Sequence, residues 1–182
     1  GGDDEDYECD DDGDDEIETD MYERLMNNAL KYNASISHCG YQTITADGRV
    51  HYFYNTGNIV QQNRVSGLKD LLEGSFVEPG LWNKIFKKDL FCDILNKEIM
   101  DRTIKYHEDL LMNYLLFNRA SISIYEYFCA YHYMARNSSA TRTEFNLDKI
   151  LDPVKVKKWI LKHADIQLKE IAERKYLEVC II

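Results

Sequence analysis

The chain has 182 residues, 45% of them apolar and 12% aromatic, enough for one ordinary domain with a core of its own. Its formal charge of −10 comes from the front: thirteen of the 32 acidic residues precede Met21, leaving 19 acids against 22 lysines and arginines in the body. So even a balance excludes a long duplex-binding stripe, and no nucleic-acid partner is expected, while no apolar run is long enough to span a membrane.

Residues 1–11 read as an acidic, solvated lead. Asp20 or Thr19 can cap a following helix, with Glu23 three residues after Asp20 completing a capping box. Tyr22, Leu25, Met26, Ala29 and Leu30 recur at helical spacing and predict a buried stripe that stops at Asn33. Ser35 to Tyr41 is a short strand. Thr43–Thr45 and Arg49–Tyr54 flank Ala46-Asp47-Gly48, where Asp-Gly signals a hairpin. Thr56 to Gln62 is loop or edge strand, and Arg64 to Leu72 is a helix ended by Gly74.

Pro79-Gly80 marks a turn before Leu81–Phe86, a strand or its end; Lys87–Phe91 makes one or two helical turns, and residues 92–107 are loop with short elements. Glu108 starts a helix with Leu111, Tyr114, Leu115 and Asn118 on one side. Ser121–Tyr125 and Ala130–Met134 read as two strands. Arg136 to Arg142 is a polar loop, Asp152-Pro153 opens a helix to about His163, and Asp165 opens another to about Val179. The apolar stripe of residues 153–180, carrying Lys157, Lys158 and Lys162, packs on the body, with peripheral membrane contact as its other reading. Five widely spaced cysteines without a Cys-x-x-Cys pair argue against a disulfide framework or a zinc site and fit a reducing, cytoplasmic compartment.

Three polar constellations exceed what a scaffold needs. The first is Asp12-x-Asp14: carboxylates crowded on a turn suit a hard cation, Mg²⁺ or Mn²⁺. The second is Glu108-Asp109 at a helix start, either a cap favoured by the exposed amides or a general base aimed at a hydroxyl. The third is Arg136 with Ser138, Ser139 and Arg142, donors suited to phosphate oxygens.

Taken in order, these pieces resemble the family-2 glycosyltransferases of GT-A fold. The likeness runs through Asp12-Gly13-Asp14 to Asp20-Met21-Tyr22, the step Lys31-Tyr32-Asn33-Ala34 into a strand, and Trp82-Asn83-Lys84. It continues through Glu108-Asp109-Leu110-Leu111 and through Tyr131-His132-Tyr133 with Arg136 and Ser138-Ser139. It spans roughly residues 12–143.

The resemblance implies an α/β fold: the acceptor-side half of a GT-A-like domain over residues 12–145, a mixed sheet with flanking helices, then a helical extension over 146–182. It implies inverting, metal-assisted transfer from a nucleotide-sugar donor to a glycan or lipid-linked acceptor, as in surface polysaccharide synthesis, at the inner face of the membrane. Asp14 would be the direct metal ligand with Asp12, which also meets the donor; Arg136 and Ser138 would lie over the leaving diphosphate. Asp109 would take the acceptor's proton with Glu108 in support, and Trp82 and Lys84 would line the acceptor side.

Two departures accompany the likeness. The nucleotide-binding half of such enzymes is not in this sequence, so the piece alone is expected to be inactive. In addition, Asp6 to Asp11 stands where the family has a buried apolar strand. These features motivate a second reading, a non-catalytic module that binds a partner or another copy of itself.

Overall fold

The computed structural model describes residues 15–53, 55–96, 103–135 and 146–181. A six-stranded mixed sheet lies at the centre. Its spine is two long parallel neighbours, β2 (Ile36–Thr45) and β6 (Ile122–Ala135). On the outer side of β2, β5 (Lys84–Phe86) pairs antiparallel with its first half and β3 (Val50–Phe53) with its second. On the outer side of β6, β4 (Ile59–Asn63) pairs with its start and β1 (Glu16–Ile17) with its end. The expected α/β architecture is observed.

The hairpin β2–β3 forms where Asp47-Gly48 lies, with Gly48 at φ 80°, a conformation that a Cβ would strain. Helix α1 (Met21–Lys31) precedes β2, and α2 (Arg64–Glu73) follows β4 directly. A capping box starts α2: the Asn63 side chain accepts from Ser66 N, and Ser66 Oγ accepts from Asn63 N, each at 2.9 Å. Gly74, left-handed at φ 73°, ends it. Helices α3 (Asp89–Asn96) and α4 (Glu108–Phe117) follow β5, and α5 (Leu147–His163) and α6 (Lys169–Cys180) close the chain.

The main core lies on the helical face. Leu68, Leu71, Leu111, Leu116, Phe117, Val156 and Ile160 are all within 2% of complete burial, so α5 and α6 complete the core rather than extend from it. A smaller cluster of Met21, Leu25, Cys39 and Ala130 docks α1.

Four expectations change. First, α1 buries Met21, Leu25 and Asn28, while Tyr22, Met26 and Leu30 are more than half exposed. A polar contact sets this rotation: Glu126 of β6 accepts from Arg24 and, at 2.7 Å, from Asn28 Nδ2, and the Arg24 guanidinium lies 3.7 Å over the Phe128 ring. Second, Asp20 makes no side-chain capping bond; its carboxylate faces Arg24 Nη1 at 3.6 Å. Third, the two strands expected at 121–125 and 130–134 are one strand, bulged opposite Cys39–Tyr41 so that pairing resumes beyond Glu126. Fourth, α5 begins at Leu147, with Asn146 accepting from Asp148 N at 2.9 Å, so Pro153 falls inside it. Asp165 lies ahead of α6, where its carboxylate pairs with Arg64 and also accepts from Gln167 N at 3.2 Å in the turn leading into the helix.

Candidate functional site

Helix α4 carries the acidic pair. His107, just ahead of it, holds a left-handed φ of 65° and makes no side-chain cap, a sparsely populated conformation for a residue with a Cβ. What fixes this lead-in is α5: the buried Asp152 carboxylate accepts from Lys105 N at 2.9 Å and Tyr106 N at 3.4 Å, and from Lys155 Nζ at 2.8 Å. The Lys155 ammonium and these amides hold Asp152 below the usual carboxylate range.

Glu108 and Asp109 both line a cavity of about 440 Å³. Its walls are the C-terminal turn of α2, the Pro79–Gly80 turn, residues 105–110, and the facing sides of α5 and α6. Partial burial raises the Asp109 carboxyl above the ordinary aspartate value, and the ammonium of Lys84 pulls it part of the way back.

Lys84, first residue of β5, is 5% exposed and sits behind the cavity wall. Its ammonium donates to the carbonyls of Glu78 at 2.7 Å and Gly80 at 2.6 Å and to Asn83 Oδ1 at 2.7 Å. Burial pushes it down to about 7, against the pull of Glu78, Cys39 and Asp109. Asn113, fully buried one turn along α4 from Asp109, donates to the carbonyls of Pro79 and, at 3.1 Å, of Asp109. Lys84 and Asn113 therefore grip the 78–83 loop from two sides and tie it to the helix of the acidic pair.

Trp82 occupies the other side of that loop. Its indole stacks on Tyr131 at 4.1 Å and meets Tyr41 edge-on at 5.3 Å; Tyr41 stacks on Phe53 at 4.6 Å. Gly80 makes room for it, since a Cβ there would lie 2.2 Å from Trp82 Nε1. The chain's front meets this row: Tyr131 Oη donates to Asp15 Oδ2 at 2.7 Å and Met134 N to Asp15 Oδ1 at 2.9 Å. Asp15, Tyr131, Trp82, Gly80 and Lys84 thus form one run of contacts, and Asn113 links the same loop to Asp109.

Asp12, Asp14, Arg136 and Ser138 lie outside the described residues. Among the described residues no group of three or more His, Cys, Asp and Glu side chains could hold a metal ion, and both oxygens of Asp15 are engaged by β6. No helix among them is long and apolar enough to cross a membrane. The sequence assigned no role at the site to Glu78, Asn83, Asn113, Tyr41 or Asp152. The one signal for any of them was helical spacing, which sets Asn113 four residues after Asp109.

No family model matches the chain, and no curated protein does. Among solved structures it is similar to S. aureus TarS 1–349 in complex with UDP-GlcNAc, at 13% identity and a TM-score of 0.63, over 92% of this chain and 45% of that one. It is also similar to S. aureus TarS 1–349 alone, at 12% identity and a TM-score of 0.61, over 91% of this chain and 44% of that one. The chain spans less than half the length of these structures and has a glycosyltransferase-like fold.

Proposed function

We propose that this chain supplies the acceptor side of a protein that transfers a sugar from a nucleotide-activated donor to a hydroxyl of a glycan or lipid-linked acceptor, with Asp109 as general base. One observation carries the reading: Asp109 stands at the start of a helix, on the wall of a cavity, with its carboxyl raised by burial and its backbone anchored by Asn113. A base must come within hydrogen-bond reach of the acceptor hydroxyl, and a carboxylate on a cavity wall is open to a bound acceptor, which supports the role. The fold of the neighbours, one of them crystallised with UDP-GlcNAc, supports a nucleotide-sugar donor.

In this reading the acceptor oxygen attacks the anomeric carbon as its proton passes to Asp109. The bond to the diphosphate breaks, and its electron pair leaves with the diphosphate. A single base acting on the side of the sugar opposite the leaving group inverts the carbon. Glu108 supports Asp109, Trp82 borders the acceptor, and Lys84 acts through the loop it holds. Asp14 and Asp12 are the proposed holders of Mg²⁺ or Mn²⁺, which would offset charge on the departing diphosphate; Arg136 and Ser138 would contact that group. Surface polysaccharide synthesis at the inner face of the membrane is the setting that fits such a donor and acceptor.

Intact protein, nucleotide-sugar, Mn²⁺ and an acceptor glycan should together release nucleoside diphosphate. No release above the acceptor-free control, with the protein folded and several donors tried, would contradict the reading. A second reading, a partner-binding or self-associating module, is favoured by the exposed Tyr22, Met26 and Leu30 on α1. It predicts association that Met26→Glu abolishes, with no diphosphate release.

A further inference from the structure

The cavity beside Asp109 is chemically uneven. Its floor is apolar, formed by Leu71, Leu110, Ile160 and Ala172, each no more than 7% exposed. The lining carries the carboxylates of Glu73, Glu108 and Asp109. From α5 and α6 come Lys157, near enough to His107 for its charge to lower that imidazole's affinity for a proton, and Lys175.

Those two ammonium groups are poorly compensated. Lys175 pairs with Glu178 at 3.1 Å, but Glu178 is also taken by Arg174 at 3.1 Å. Glu73, on the same lining, pairs with Arg174 at 3.5 Å. Lys157 is half-buried and has no carboxylate within ion-pair distance among the described residues. Burial and the neighbouring Lys175 both lower its affinity for a proton, with Glu178 offsetting them only in part. Two cations facing each other over an apolar floor are relieved by a bound anion. The volume falls in the range of small-ligand pockets, which are mostly apolar with a few placed polar groups.

We propose that this cavity binds an amphipathic organic anion: an apolar group bearing one phosphate or carboxylate, the charge held between Lys157 and Lys175 and the stem laid on Leu71, Leu110 and Ile160. The inference stands on the cavity and does not require the transfer reading. If both hold, the anion belongs to the acceptor, because Asp109 lines the same cavity. The two terminal helices then form a wall of the site.

The test is calorimetric titration of the full chain, without donor or metal, using hexyl phosphate, hexanoate, inorganic phosphate and the neutral hexyl glucoside. Saturable one-to-one binding of hexyl phosphate or hexanoate is expected. Lys157→Gln should weaken it about tenfold or more, the scale of losing one charge-assisted contact. Lys175→Gln, on the other helix, gives the same readout if the first variant folds poorly. Inorganic phosphate should bind at least tenfold more weakly than hexyl phosphate, and the glucoside not measurably. Equal binding of the glucoside, undiminished binding in folded Lys157→Gln and Lys175→Gln, or no binding by either anion would overturn the proposal. None of these results depends on diphosphate release, so failure here and failure of transfer are separate findings.

Discussion

Lys84 Nζ donates to the carbonyl of Gly80 at 2.6 Å, and through this bond a charged group inside the protein sets the shape of a loop whose other face carries Trp82. Three acceptors surround that ammonium. Their bonds draw on the charge of the lysine, which is why a residue seldom found buried is tolerated here.

Replacing Lys84 by Met keeps the stem and strands the three acceptors. The expected loss of stability is about 3 kcal/mol, read from the urea midpoint. Because the folded value of about 7 lies below the ordinary 10.5, the unfolded chain holds the extra proton between them. Stability from this group therefore rises with pH across that window, and the rise should vanish in Lys84→Met. An unchanged midpoint in the variant would contradict the role assigned to Lys84.

Gly80→Ala places a methyl where the Trp82 indole lies, 2.2 Å from Nε1. Tyr131 and Tyr41 hem the indole in, so it cannot shift cheaply. Destabilisation of about 1–3 kcal/mol is expected, with a changed tryptophan emission. Unaltered emission and stability would show that the indole moves freely.

Acid should weaken the fold through His38. This ring is fully buried on β2, and its Nε2 lies 2.9 Å from Gln62 Oε1. Gln62 Nε2 donates to Asp70 Oδ2 at 2.6 Å, which turns the Gln62 oxygen toward the ring and makes Nε2–H the donor. Burial pushes His38 down to about 3 from 6.5, so the unfolded chain binds the extra proton between those values. Stability is then intact above pH 6.5 and falls on acidification through the window, by up to about 1.4 kcal/mol per pH unit from this one group. Ring proton shifts of His38 that titrate near 6.5 in the folded protein would contradict this.

Local chemistry was readable before any coordinates: the Asp47-Gly48 hairpin, the Gly74 stop, and the acidic pair opening a helix are each set by neighbours in sequence, but that helix, expected to bury one side, is buried from Leu110 and Leu111 through Asn113 to Phe117. What could not be read depends on contacts between distant residues. The rotation of α1 is set by Glu126, 98 positions from Asn28, so apolar spacing alone chose the wrong face. The continuity of β6 hides behind a bulge whose polar Glu126 faces α1. Lys84 was expected to line the acceptor side; its burial was not legible because its partners are two loop carbonyls and the neighbouring Asn83 amide, which have no sequence signature. The cavity beside Asp109 needs α5 and α6 folded back over α4, an arrangement held by Asp152 and the amides of Lys105 and Tyr106.

The most direct test of the account is the turnover of intact protein carrying Asp109→Asn, measured at saturating donor and acceptor beside the wild type. The account predicts a loss of about 10²–10⁴ in kcat, with nucleotide affinity and thermal stability unchanged. Turnover within a few-fold of wild type would remove Asp109 as the base and with it the proposed chemistry.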